Sequence, residues 1–126
     1  MPPLTWSPAL ADEARQWSQE LASRHRFAHA PASVRHEHGE NLFMGTAGAY
    51  SLEAMIDDFI SERADFRAGR FPDVARDGDW ENVGHYTQLI WRQTTEVGCA
   101  VVSAAGWDYL TCRYAPAGNV IGEAVP

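Results

Sequence analysis

The chain reads GHYTQLIWRQT over residues 84–94 and LTCRYAPAGN over residues 110–119, and the segment around and between them has a β-like pattern. From Val83 onward the apolar period changes to two, and the alternating residues are branched or aromatic, as is typical of strands. The alternating positions are Val97, Cys99 and Val101, followed by Leu110, Cys112 and Tyr114. We therefore expect two strands joined by a hairpin at Ala105-Gly106.

The predicted hairpin places the only two cysteines, Cys99 and Cys112, opposite each other. Residues opposed on neighbouring strands have the Cα spacing that a disulfide tolerates, so we expect a bond between them. The bond would close a short loop, a contribution of about 3 kcal/mol in the chain-entropy model, and would indicate an oxidising compartment. The alternative is a pair of buried free thiols that pack as small apolar residues.

Two amphipathic helices are predicted ahead of the hairpin. Ser7 can cap a helix over about residues 8–24 with Pro8 at its first position, and Ser51 can cap a second helix. Their apolar positions, spaced by three or four residues, are Leu10, Ala14, Trp17 and Leu21 in the first helix and Leu52, Met55, Ile56, Phe59 and Ile60 in the second. The polar segment 26–39, with room for a helical turn, and the turn-rich segment 68–79 are expected to be loops.

The size and charge of the chain limit the number of domains and the kinds of partner that we expect. A length of 126 residues fits one domain over residues 1–126 with a single core. The net charge of -7 makes nucleic acid a poor partner and favours cations, although such acidity can also serve solubility alone. No apolar run approaches a membrane span, and Met1-Pro2-Pro3 is unlike the basic start of a signal peptide.

Four of the five histidines crowd into a short segment, at positions 25, 29, 36 and 38, and the fifth is His85. Imidazole together with carboxylate suits zinc. The H-E-x-x-H motif of zinc proteases is absent, because in His36-Glu37-His38 the second histidine follows too early to share a helical face. The alternative for the cluster is a set of solvated loop histidines with no role as ligands.

Glu62 falls on the apolar stripe of the second helix, three residues after Phe59. A buried glutamate needs a partner. An arginine such as Arg63 or Arg67 could supply it at the edge of the stripe, or the partner could be a cation or a histidine. The pattern leaves these alternatives open.

Four ordered motifs resemble the CAP (SCP-like) family, which includes cysteine-rich secretory proteins, antigen 5 venom allergens and plant pathogenesis-related proteins. Residues 84–94 and 110–119 resemble its two signatures, residues 39–42 its G-E-N-L segment, and residues 59–62 its W-x-x-E helix, with Phe59 in place of Trp. The resemblance implies an α+β fold, a three-layer α-β-α sandwich with a central antiparallel sheet, and an extracellular or secreted location, with the periplasm as an alternative.

The resemblance also implies a cavity lined by two histidines and two glutamates. Its motifs correspond here to His85, Glu40 and Glu62, and the fourth member is best matched by His29, with His36 and His38 as competitors. His29 and His85 would hold a divalent cation, zinc or another, while Glu40 and Glu62 would accept hydrogen bonds behind them or hold water.

Three functions are compatible with such a cavity. The first is a secreted metal-binding interaction module for a small hydrophobic ligand, such as a lipid or sterol, or for an extracellular protein. The second is a metal-dependent hydrolase or peptidase with a zinc-activated water and Glu40 or Glu62 as general base, since no G-x-S-x-G motif is present. The third is an adhesion domain without an ion.

The start of the chain departs from the family pattern. The helix with which the family domain usually begins has no counterpart ahead of residue 3. A missing helix would expose part of an apolar sheet face, from which we expect a homodimer.

Overall fold

The computed structural model of the protein describes residues 4–125; Met1, Pro2 and Pro3, discussed above as unlike a signal peptide, lie outside the described residues, as does Pro126. The helices are α1 (Pro8–Arg24), α2 (Ala32–Arg35), α3 (Leu52–Ser61) and α4 (Gly84–Leu89). The strands are β1 (Thr5–Trp6), β2 (Gly39–Thr46), β3 (Gly69–Arg70), β4 (Glu96–Ala104), β5 (Trp107–Ala115) and β6 (Ala124–Val125). Short 3₁₀ helices span Glu62–Asp65 and Trp80–Asn82.

The main sheet has the strand order β1-β4-β5-β2. β4, β5 and β2 are antiparallel, as the resemblance implies, and the two-residue edge strand β1 runs parallel to β4, so the sheet as a whole is mixed. β1 leads directly into α1, and α1 packs across β4 and β5. The direction in which α1 crosses the sheet sets the direction of the edge strand β1. β3 pairs with β6 in a small second sheet, which corrects the prediction that segment 68–79 is entirely loop.

Side chains of the central strand β5 alternate between two helical layers, as a period of two requires. Tyr109 packs with Leu21 and Ala22 of α1. Leu110 packs on the opposite face with Met55 and Phe59 of α3. The strand is therefore buried on both faces, and the predicted three-layer α-β-α arrangement is confirmed.

Close approach of α1 to the sheet depends on Gly98 in β4. A Cβ at this position would lie 2.1 Å from the backbone nitrogen of Ala11. Any larger residue would push the helix away from the strands, so glycine is needed where helix and strand backbones nearly touch.

The two predicted helices are confirmed at their first residues. Ser7 Oγ accepts a hydrogen bond from Leu10 N at 3.2 Å with Pro8 at the first position of α1, and Ser51 Oγ accepts one from Ala54 N at 3.1 Å at the start of α3. Between residues 4 and 125 no helix is both long and apolar enough to cross a membrane.

Two elements near the site were not predicted. The period of two from Val83 onward is wrong for residues 84–89, which form α4, a helix too short for a clear periodicity and without a side-chain cap. Strand β2, within which the G-E-N-L segment lies, was not recognised because polar and small residues interrupt its apolar pattern. Tertiary packing determines both elements.

The hairpin prediction is confirmed in its register and in its turn. Cys99 pairs with Cys112 across β4 and β5, and a disulfide joins them. Ala105 and Gly106 connect the strands with positive φ angles of 51° and 85°, as a two-residue turn requires.

The disulfide should contribute measurably to stability. We expect the Cys99→Ala/Cys112→Ala variant to lose about 2–4 kcal/mol in free energy of unfolding, because its unfolded chain is no longer cross-linked. Urea unfolding with and without a reducing agent measures the loss. Reductant should shift the wild-type midpoint and leave that of the variant unchanged; a wild-type midpoint insensitive to reduction contradicts the prediction.

Candidate functional site

Glu40 and His29 form the first histidine–carboxylate pair of the site. Glu40 Oε1 accepts hydrogen bonds from Ala30 N and from His29 Nδ1, both at 2.9 Å. A carboxylate only accepts, so the imidazole must carry its proton on Nδ1. The Glu40 side chain is fully buried, whereas that of His29 is 59% exposed. The pair therefore anchors an exposed loop histidine to the interior.

Arg113 supplies the charge that balances Glu40. The two residues are direct partners across β2 and β5, and Arg113 Nε donates to Glu40 Oε2 at 2.8 Å. Arg113 Nη1 donates to Glu13 Oε1 of α1 at 3.2 Å, and His38 Nδ1 bonds the same oxygen at 2.9 Å. The network ties helix α1, the sheet and the His29 loop together.

His85 and Glu62 form the second pair. His85 Nδ1 donates to Glu62 Oε2 at 2.7 Å, and Tyr86 N donates to Glu62 Oε1 at 3.0 Å. Phe59 stacks on the imidazole, with ring centroids 4.7 Å apart and planes 18° apart. The ring is thus held in its plane by an aromatic neighbour and in its tautomer by a carboxylate.

The open question about the partner of Glu62 is resolved by this geometry. Among the described residues Glu62 bonds His85 and the backbone of Tyr86, while Arg67 pairs with Asp73. An arginine partner is therefore wrong and a histidine partner is confirmed. Glu62 lies one residue beyond the last residue of α3, at the start of a 3₁₀ turn.

His29, Glu40 and His85 line one cavity of about 660 Å³. In the part of the chain that the structure describes, neither histidine bonds through Nε2, which leaves that nitrogen available to a ligand. His36 and His38 are not among the cavity's described lining residues; His36 lines a neighbouring cavity beside α1, which His29 lines as well. Glu62 lies behind His85 and is also not among those lining residues.

Asn41 connects the two halves of the site. Its Nδ2 donates to the backbone oxygen of His85 at 3.2 Å and to the Tyr114 hydroxyl at 3.1 Å. Because successive strand residues point to opposite faces, Glu40 serves the side of His29 and Asn41 the side of His85. The alternation explains why glutamate and asparagine are adjacent in the G-E-N-L segment.

Gln88 of α4 packs between two glycines at the wall of the cavity. A Cβ on Gly39 would lie 2.0 Å from Gln88 Oε1, and the same oxygen accepts a hydrogen bond from Gly118 N at 2.9 Å. Gln88 Nε2 donates to Thr94 Oγ1 at 3.2 Å. A side chain at residue 39 would displace the Gln88 amide from its hydrogen bonds with Gly118 and Thr94.

His29 and His85 have the ring hydrogen bonds that are typical of metal-ligating histidines. Metal-ligating histidines usually donate their other ring N–H to a carboxylate or carbonyl, as His29 and His85 do here. Within residues 4–125 there is no group of three or more histidine, cysteine or acidic side chains that could hold a metal. With only two protein ligands, the other coordination positions would be left for water or a ligand, and affinity should be below that of sites with three or four protein ligands.

The family model described as CAP, the Cysteine-rich secretory protein family, matches residues 1–114. The chain belongs to the CAP family. Protein PRY2 of Saccharomyces cerevisiae is 35% identical over 122 residues, which cover 95% of this chain but 33% of that protein. Pathogenesis-related protein PR-1 type of Sambucus nigra is 33% identical over 96% of this chain and 69% of its own length.

The CAP fold is also found among solved structures. A crystal structure of NaASP2 with Zn²⁺ is 25% identical, has a TM-score of 0.77, and aligns over 99% of this chain and 66% of that chain. The chain therefore spans a third of the yeast relative and about two thirds of the other two proteins. The family resemblance and the CAP fold inferred from the four motifs are confirmed.

Sequence reasoning missed Arg113 and Asn41. Arg113 carried a signal, because it lies between Cys112 and Tyr114 in a strand predicted to be apolar on one face, so it had to point to the other. A charged residue in a central strand calls for a buried counter-charge. The partner could not be identified because strand β2 was itself not predicted.

The Arg113–Glu40 pair should be strongly coupled. We expect Arg113→Met to lose about 3–5 kcal/mol in free energy of unfolding, because it leaves Glu40 buried without its counter-charge. The Arg113→Met/Glu40→Gln variant should lose less than the sum of the single losses. Urea unfolding measures all three variants against Arg15→Met, which changes an exposed arginine. Equal losses for Arg113→Met and Arg15→Met contradict the coupling.

Tyr114 predicts a pH dependence of stability. Burial raises the pKa of its phenol well above the ordinary value. The unfolded chain releases this proton above about pH 10 while the folded state retains it, so the free energy of unfolding should fall as pH rises beyond that point. Tyr114→Phe should flatten the fall, and Tyr50→Phe, at an exposed tyrosine, should not. Urea titrations from about pH 8 to 11 measure it; identical slopes for all three proteins contradict it.

Proposed function

We propose that the protein is an extracellular binding module of the CAP family whose cavity holds zinc through Nε2 of His29 and Nε2 of His85. The observation that carries this proposal is that each histidine donates Nδ1–H to a glutamate. This arrangement fixes the tautomer with a lone pair on Nε2, the form in which imidazole binds a metal. Zinc, when bound, would supply a positive charge and open coordination positions for a ligand atom.

The contacts of both carboxylates favour binding over hydrolysis. Glu40 accepts hydrogen bonds from His29, Ala30 and Arg113, and Glu62 accepts them from His85 and Tyr86. A general base must be within reach of the water that it deprotonates. Because the Glu40 side chain is fully buried and Glu62 is held by His85 and by the backbone of Tyr86, the carboxylates suit a positioning role better than a catalytic one.

An extracellular location is supported by two features. The Cys99–Cys112 disulfide belongs to an oxidising compartment. The family to which the chain belongs is described as secretory. Binding of a small hydrophobic ligand or an extracellular protein, and formation of a homodimer, stay predictions.

Zinc titration by calorimetry tests the proposed function. After treatment with a chelator and desalting, the wild type should bind about one zinc ion, His29→Ala and His85→Ala should each weaken binding at least about tenfold, and the double variant should not bind. The same titration with Mn²⁺ measures selectivity.

The matched control removes two other histidines. His25→Asn/His36→Asn keeps residues that tolerate the left-handed backbone at both positions and should bind zinc as the wild type does. Unchanged zinc affinity in the His29/His85 double variant would exclude the proposed ligands. Turnover of a peptide or ester library that is lost in that double variant would favour the hydrolase instead.

A further inference from the structure

Strand β4 has a free edge along most of its length. On one side β5 pairs with the whole strand, but on the other side β1 pairs only with Glu96 and Val97. The remaining residues, 98–104, have no neighbouring strand on that side within the described part of the chain. An unpaired edge presents a row of backbone N–H and C=O groups to which another strand can bind.

The backbone groups at this edge belong to every second residue. Val97 O accepts a hydrogen bond from Ser7 N at 2.8 Å, so the backbone groups of Val97 point away from β5. With a period of two, those of Cys99, Val101 and Ser103 point the same way. The Cα atoms of Cys99 and its disulfide partner are 4.1 Å apart, the short spacing of opposed residues that exchange no hydrogen bonds. Among residues 4–125, no hydrogen bond from outside β4 and β5 reaches the backbone of these three residues.

Residues 97–104 lack the features that usually protect an edge strand. The segment reads VGCAVVSA, without a charged residue or a proline, and Val101 is 41% exposed. The edge strand on the other side of the sheet, β2, instead contributes residues 39–42 to the wall of the cavity. Edge strands are normally blocked by charge, proline, a bulge or a covering element, and uncharged, β-prone edges pair with other chains.

The sequence of β4 is complementary to a second copy of itself. A twofold axis at Val101 would place Val101 opposite its own copy and Cys99 opposite Ser103 of the second copy. Residues opposed in this way exchange both backbone groups, so every free donor and acceptor of the three residues would be used. Because residues 97–104 are uncharged, no like charges would face each other. The same edge is used on both copies, so association would stop at a dimer.

Helix α1 leaves room for this pairing. Ser18 Oγ of α1 lies 2.7 Å from Thr111 Oγ1 of β5 and 3.4 Å from Ala100 O of β4, so the helix lies above the boundary between these strands. With strands about 4.8 Å apart, two copies of α1 related by the twofold axis would lie about 10 Å apart at this level, close to the distance at which helices pack. The pairing therefore needs no displacement of α1 here.

We propose that the chain forms a homodimer in which β4 pairs antiparallel with β4 of a second copy about a twofold axis at Val101. The homodimer expected from the sequence thereby gains a definite surface, a strand edge rather than an uncovered sheet face. The proposal goes beyond the zinc site and does not depend on it, because Val101 and its neighbours in β4 are not proposed metal ligands. The two proposals can therefore fail separately.

Sedimentation equilibrium tests the dimer. At about 0.15 M salt, which screens the repulsion between two chains of net charge -7, the wild type should show a monomer–dimer equilibrium between about 1 μM and 1 mM protein. Val101→Lys places two like charges opposite each other at the axis and should raise the dimer Kd at least about tenfold. A wild type that stays monomeric up to about 1 mM overturns the proposal, as does a Kd that Val101→Lys leaves unchanged.

Val120→Lys is the matched control for this variant. Val120 is also 41% exposed, lies outside β4, and undergoes the same change in charge and size. Its dimer Kd should equal that of the wild type. Equal weakening by both lysine variants would show that net charge, not the edge of β4, controls association, and would contradict the proposal.

A mixture of two variants tests the register. Val101→Glu should weaken the dimer as Val101→Lys does, and an equimolar mixture of the two should associate again, because opposite charges then face each other at the axis. A variant that fails to fold cannot produce this recovery. A mixture that associates no better than either variant alone contradicts an axis at Val101.

Hydrogen exchange gives a readout that needs no variant. The amides of Cys99, Val101 and Ser103 should exchange at least about tenfold more slowly in concentrated than in dilute wild-type protein, because the second copy accepts their hydrogen bonds only in the dimer. Rates that do not depend on protein concentration overturn the pairing. Zinc titration of Val101→Lys should give the wild-type affinity, and a wild type that dimerises without binding zinc overturns the metal proposal alone.

Discussion

The structure depends above all on the ion pair between Glu40 and Arg113. Both side chains are almost completely removed from solvent, and they face each other across β2 and β5. Removing two charges from water is expensive, and only good geometry with additional hydrogen bonds offsets that cost. Glu40 gains these additional hydrogen bonds from His29 and Ala30. The buried ion pair of the sheet therefore also fixes the loop that carries His29.

The period of two in β2 and β5 links this ion pair to the other half of the cavity. Asn41 follows Glu40 and Tyr114 follows Arg113, so the second pair lies on the opposite face of the sheet. There Asn41 holds the Tyr114 hydroxyl and the backbone of His85. Adjacent residues on β2 and on β5 therefore reach both helical layers. His29 and His85 line one cavity, although the side chains that hold them lie on opposite faces of the sheet.

Sequence information was sufficient where local chemistry determines structure. Residue order alone predicted the serine caps of α1 and α3 and the alternation that places Cys99 opposite Cys112. Sequence information was insufficient where contacts between distant residues determine the structure. The partner of Glu62 depends on α4, and α4 depends on packing of Gln88 against Gly39 and Gly118. The motifs placed Glu40, Glu62 and His85, and His29 was the best match outside them, with His36 and His38 as competitors. The partners that orient these residues required the fold.

The central claim is that both cavity histidines carry their proton on Nδ1 and offer Nε2 to a ligand. Two-bond ¹H–¹⁵N spectra of the imidazoles, recorded at about pH 8 where free histidine is neutral, measure this directly. The account predicts Nδ1–H tautomers for His29 and His85 in the metal-free protein, and a shift of both Nε2 signals when zinc is added. An Nε2–H tautomer at either residue, or Nε2 signals that do not respond to zinc, would contradict it.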